Sequence, residues 1–173
     1  MDWSELLNAE IETTYGVTEK LFDLVDDDDL DWKPGTGSNW MTMGQLLNHI
    51  GEACGMAFRG FVTGDWGLPE GQDLADLSPE EMLPPADAMP TIGSVREARE
   101  KLGADKQLAL AMLAKTTAEG LDKMAAAPWD PTERSLGHRL LQMVDHLKHH
   151  KAQLFYYLKL QGMPVNTAHL WGM

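Results

Sequence analysis

Four long stretches of this chain repeat their apolar residues every three or four positions, the period of an α-helix, and none shows the sustained alternation of a half-buried strand. That periodicity restricts the chain to an all-α fold. The first stretch runs from about Asp2 to Val25 through Trp3, Leu7, Ile11, Val17 and Leu21. It meets Asp26-Asp27-Asp28-Asp29, carboxylates that sit badly at the negative end of a helix dipole, so the run reads as a solvated exit. The second spans about Thr42 to Val62, with a stripe of Met43, Leu46, Leu47, Ile50, Cys54, Ala57 and Phe61. The third starts at the capping box Ser94-Val95-Arg96-Glu97 and continues to about Ala125. The fourth runs from about Ser135 to Gln161, where Gly162 and Pro164 end it.

Residues 64–90 form a long connection punctuated by Gly67, Pro69, Gly71, Pro79, Pro84, Pro85 and Pro90. Ser78-Pro79-Glu80-Glu81 predicts one short helical turn within it. Such a connection either lets two bundle helices run parallel or serves as a lid. The length of 173 residues fits one domain, residues 1–173, expected as a four-helix bundle without a sheet.

The balance of 27 acidic against 14 basic residues, a net charge of −13, narrows the partners. It repels phosphate backbones and anionic membrane surfaces, and no basic stripe offsets it. No run approaches the roughly 18 apolar residues that span a bilayer, and the acidic opening lacks a secretory n-region. The expectation is a cytoplasmic protein that binds neither nucleic acid nor membrane. The one cysteine, Cys54, makes no internal disulfide and lies on the apolar stripe, which reads as a packing thiol.

Four of the six histidines fall on the fourth helix. With Leu147 at the middle of the apolar face, an advance of about 100° per residue puts His150 at about −60° and His146 at about −100°. His138 and His149 fall at roughly 180° and 200°, towards solvent. On the second helix, His49 sits about −100° from Ile50, beside Ala53 and Met56. Imidazoles at i and i+4 can grip one ion, and a third from a facing helix completes a three-histidine face that leaves positions open to water or substrate. Such ligands suit zinc, nickel, copper or iron. Other site types lack their motifs. No His-Glu-x-x-His is present, no histidine has a glutamate three residues before it, and Cys-x-x-Cys-His is absent.

The stretch Asp31-Trp32-Lys33-Pro34, Trp40 and Gln45-Leu46-Leu47-Asn48-His49-Ile50 resembles the second-helix signature of the DinB/YfiT-like bundle family. Asp145-His146-Leu147-Lys148-His149-His150-Lys151-Ala152-Gln153-Leu154, then Tyr157-Leu158 and Gly162-Met163-Pro164, resembles its fourth-helix signature. Lys151 and Ala152 depart from the arginine and glycine usual there. The resemblance implies an up-down-down-up bundle with a crossover between helices 2 and 3, and a homodimer. It also implies a divalent metal, zinc or nickel first among them, held by His49, His146 and His150. Several members use the metal to activate a low-molecular-weight thiol for transfer to an electrophilic substrate, or for isomerisation. The expected function is therefore a metal-dependent thiol S-transferase or a related small-molecule enzyme. The alternative is a non-catalytic, metal-binding stress-response bundle. Tyr157, at about −80°, shares the histidines' shoulder as a candidate proton donor, and Gln153, at about −120°, as a partner orienting a ligand.

Overall fold

Asp2 opens the first helix with a reciprocal cap: its side chain accepts the Glu5 amide, and the Glu5 side chain accepts the Asp2 amide. The computed structural model describes residues 2–69, 71–72, 74–82 and 84–173. In it, α1 spans Trp3–Phe22, α2 Met43–Ile50, α3 Gly55–Thr63, α4 Pro79–Met82, α5 Val95–Leu113 and α6 Ala118–Asp122. A hairpin of β1 (Met124–Ala127) and β2 (Asp130–Ser135) leads into α7, Leu136–Leu160, and a short α8, Thr167–Trp171. The helix α1 packs on α5 and α7, and α2 and α3 pack on the same two helices. One core joins them through fully buried Leu7, Ile11, Leu47, Leu102, Val144 and Leu154. No helix among the described residues is long and apolar enough to cross a membrane.

The expected second helix is two helices. Residues 51–54 are not helical, and beyond them Cys54 and Phe58 are buried, whereas Ala57 and Phe61 of the expected stripe are only half-buried. The cause lies on α5. The buried carboxylate of Asp105 accepts the amides of Cys54 at 3.2 Å and Met56 at 3.3 Å, and the hydroxyl of Tyr15 at 2.6 Å. An anionic acceptor at a helix N-terminus satisfies free amides and complements the dipole, so Asp105 starts α3 anew. Gly55 permits the approach, since a Cβ there would collide with the backbone carbonyl of Asp105. Burial is the first cause raising the pKa of Tyr15, Cys54 and Asp105; the charge of Asp105 adds to the shift of Cys54 and, after that of Cys54, to the shift of Tyr15, whereas the bonds Asp105 accepts favour its carboxylate.

The third helix also ends early, and the expectation of no sheet is corrected. Beyond Leu113 the chain turns into α6, capped by Thr117, and then into the hairpin. Met124 pairs with Ser135 and Ala127 with Asp130. Alanine is the best helix former, but the preference is under about 1 kcal/mol per residue over most others. Pro128 disfavours the helical conformation at Ala127, and tertiary bonds to the hairpin outweigh what remains. Those bonds come from Arg139, which is 2% exposed and donates to the carbonyls of Ala125, Asp130 and Thr132 and to the Asp130 carboxylate.

The connection of residues 64–90 carries 3-10 turns at Leu74–Asp76 and Ala86–Ala88 as well as α4, the turn expected at Ser78; residues 70, 73 and 83 lie outside the described ones. Its end is tied to the first turn of α2 and to the segment before it. The Asn39 side chain, on a residue with φ of 61°, accepts the Ala86 amide, and Gln45 Nε2 donates to the Met89 carbonyl. The aspartate run is more than a solvated exit: Asp27 accepts the Val95 amide at 2.7 Å, capping α5.

Candidate metal centre

Each candidate ligand is placed by ordinary helix geometry. His49 lies in the last turn of α2, an eight-residue helix opened by the reciprocal cap of Thr42 and Gln45. His146 and His150 lie one turn apart near the middle of the 25-residue α7. All three are half-buried. Their Nε2 atoms converge: His49 to His150 is 3.0 Å and His49 to His146 is 3.2 Å. Two nitrogens, each about 2.1 Å from one ion, lie about 3.0 Å apart at a right angle and about 3.4 Å apart at the tetrahedral angle. The observed spacings fall between these values. The three residues can hold an ion together.

The orientation of His150 is fixed from behind. Its Nδ1 lies 3.0 Å from Gln153 Oε1, which can only accept, so Nδ1 carries the proton and Nε2 presents a lone pair to the cluster. Gln153 Nε2 donates to the Tyr157 hydroxyl at 3.4 Å, and that hydroxyl donates to the Met41 carbonyl at 3.0 Å. The relay therefore has one consistent direction, His150 to Gln153 to Tyr157 to Met41. Trp32 and Trp40 meet the Tyr157 ring edge-on, with centroids 5.5 and 6.1 Å away. Tyr157 is 1% exposed, and burial raises its pKa.

Burial also keeps the cluster neutral. It is the first cause lowering His49 and His146 from 6.5 to about 4, and the charge that His150 would carry adds to it. His150 is lowered as well, again by burial first, although the Gln153 bond opposes the shift. His49 and His146, with their protons on Nδ1 as on His150, add two more lone pairs to the cluster, and a shared cation relieves the repulsion among the three.

The angular reading of α7 thus brings His146, His150, Gln153 and Tyr157 to one centre, and His149 is exposed as expected. His138 is half-buried, not solvent-facing, because the hairpin packs on the first part of α7. The Met41 carbonyl was missed, and Trp32 and Trp40, quoted only as part of the second-helix signature, were given no place against Tyr157. The pairing of Trp32 and Trp40 ahead of a helix that carries a histidine was the available signal.

Residues 10–154 match the model of the DinB superfamily. The chain belongs to this superfamily. It is similar in fold to a DinB-like protein from Bacillus cereus ATCC 10987, with a TM-score of 0.68 and 16% identity over 94% of this chain and 95% of that one. A candidate member of the DinB family from Exiguobacterium sibiricum 255-15 gives a TM-score of 0.65 and 21% identity, covering 98% of each chain. No curated protein matches this DinB-superfamily chain.

Proposed function

We propose that His49, His146 and His150 hold one divalent metal ion, zinc or nickel first, in a site open to exogenous ligands. The observation that carries this reading is the convergence of their Nε2 atoms within 3.0–3.2 Å of His49, with the His150 lone pair fixed by Gln153. A bound ion would lower the pKa of a coordinated thiol as it does that of water, and supply a thiolate at neutral pH. The chain's part is to keep three imidazoles neutral and oriented and to leave positions open. The function that follows is transfer of a small-molecule thiol to an electrophile, or a related thiol-dependent reaction, by a homodimeric, cytoplasmic enzyme. Superfamily membership supports the up-down-down-up helix order, with residues 64–90 as the crossover.

One observation favours the non-catalytic alternative. The Tyr157 hydroxyl spends its hydrogen on the Met41 carbonyl, so Tyr157 serves better as an anchor for Gln153 than as the proton donor expected from its angle. Metal analysis of chelator-stripped, reconstituted protein, followed by conjugation assays with glutathione, bacillithiol and mycothiol, separates the two. Turnover that needs both metal and thiol supports the enzyme. One bound ion with no turnover on a panel of electrophiles supports the bundle that only binds.

A further inference from the structure

Of the three candidate ligands, His49 stands on the weakest support. His146 and His150 belong to a 25-residue helix, whereas α2 has eight residues and His49 occupies its last turn. Helices this short are marginal by themselves and fray at their ends. Yet the site needs His49 Nε2 held within a few tenths of an ångström of its place opposite α7. Something outside α2 must hold that turn.

Two residues of α5, a helix that supplies no histidine, are arranged to do so. Lys101 and Asp105 are one turn apart and share a face. Lys101 Nζ donates to Asn48 Oδ1 at 2.7 Å, pairs with Glu52, and lays its stem where a Cβ at Gly51 would stand 3.1 Å from its Cγ. Asp105 takes the amides of Cys54 and Met56 on the other side of the break, braced by the Tyr15 hydroxyl. Asn48 and Asp105 are each 5% exposed, so water competes poorly for these bonds. One turn of α5 therefore grips the chain just before His49, at Asn48, and just after it, at Glu52, Cys54 and Met56.

We propose that Lys101 and Asp105 form a clamp that positions His49 for metal binding, and that the break between α2 and α3 exists to be clamped. The inference rests on the metal reading above. Residues 48–56 could not be held at both ends by a straight helix, because Asp105 needs the free amides that only a new helix N-terminus offers. Lys101 and Asp105 touch no ligand atom. They are positioning residues, and their effect is read in affinity and coordination geometry, not only in stability.

The test uses the full chain loaded with zinc for affinity and cobalt for the ligand-field spectrum. Asp105→Asn keeps the size of the side chain but loses the anionic acceptor, and Lys101→Met keeps the stem without the Asn48 bond. Each is expected to weaken zinc binding about tenfold, the lower end for residues that orient a ligand, and to alter the cobalt spectrum. Leu121→Ala, at the buried residue of α6, serves as a control that lowers the melting temperature and keeps both readouts. Should Asp105→Asn fail to fold, Lys101→Met carries the test, since its side chain is partly exposed. Wild-type affinity and spectrum in the folded clamp variants overturn the clamp and leave the metal reading standing. Equal loss in Leu121→Ala also overturns it, reducing the effect to stability. Zinc binding that is indifferent to His146→Ala and His150→Ala overturns the metal reading and the clamp together.

Discussion

Arg139 and His146 lie about two turns apart on one shoulder of α7, and the groups around them are opposites. Arg139 is buried, and its donors meet the carbonyls of Ala125, Asp130 and Thr132, the Asp130 carboxylate and Gln142 Oε1. Around His146, three ring nitrogens face one another, and each is an acceptor when its imidazole carries the proton on Nδ1, as His150 does. A buried charge matched to acceptors on every side is complete as protein structure. A cluster of acceptors is complete only with a cation. The comparison separates a residue that holds the fold from residues that the fold holds ready.

The largest expected effect tests the structural side. Arg139→Met removes the buried hub whose hydrogen bonds fasten the hairpin to α7, so stability should fall by about 3 kcal/mol. Urea unfolding measures it. Zinc affinity of the folded variant should stay within about twofold of wild type, because Arg139 is about two turns from the ligands. A large loss of affinity would show that the two centres are one network.

The difference between the centres also explains what was legible in the sequence. His49, His146 and His150 could be aimed because the helical period projects each side chain from its neighbours, and the same projection brought Gln153 and Tyr157 to their shoulder. Arg139 gave no such signal, since most of its partners are backbone carbonyls of a hairpin that Met124–Ala127, a helix-favouring run, conceals. The break after His49 was hidden for a related reason. Ile50, Cys54 and Phe58 keep a four-residue spacing straight through it, and the capping carboxylate is Asp105, distant in sequence. Local periodicity records which face is buried. It does not record a cap supplied by another helix.

On the functional side, Gln153→Ala frees His150 to rotate or to change tautomer, and zinc affinity should fall about tenfold with little change in apo stability. Gln153→Glu keeps an acceptor for Nδ1 and should recover most of the loss. Competition against a chromophoric chelator measures both, and an unchanged Gln153→Ala affinity would remove the relay from the account.

A smaller effect is expected from pH. His49 and His146 titrate at about 4 in the folded chain, against 6.5 for an unperturbed imidazole. Between these values the unfolded chain binds more protons, so these histidines stabilise the apo protein fully above about pH 6.5 and lose that contribution as pH falls towards 4. Melting curves of wild type against His49→Asn isolate the effect from the many carboxylates, and the two should converge as pH drops. Zinc binding should persist to about pH 5 and fail near pH 4, later than for exposed histidines. Failure centred near pH 6.5 would mean that burial does not hold the cluster neutral.

The central claim is that three converging imidazoles, and no other group, bind the ion. Equilibrium dialysis at pH 7.5 of chelator-stripped protein against zinc tests it on wild type and five single alanine variants. The account predicts one zinc per wild-type chain. It predicts losses on the order of a hundredfold or more in affinity for His49→Ala, His146→Ala and His150→Ala, each of which removes a ligand, and none for His138→Ala or His149→Ala. Equal losses across all five variants, or a full zinc complement in the first three, would contradict it.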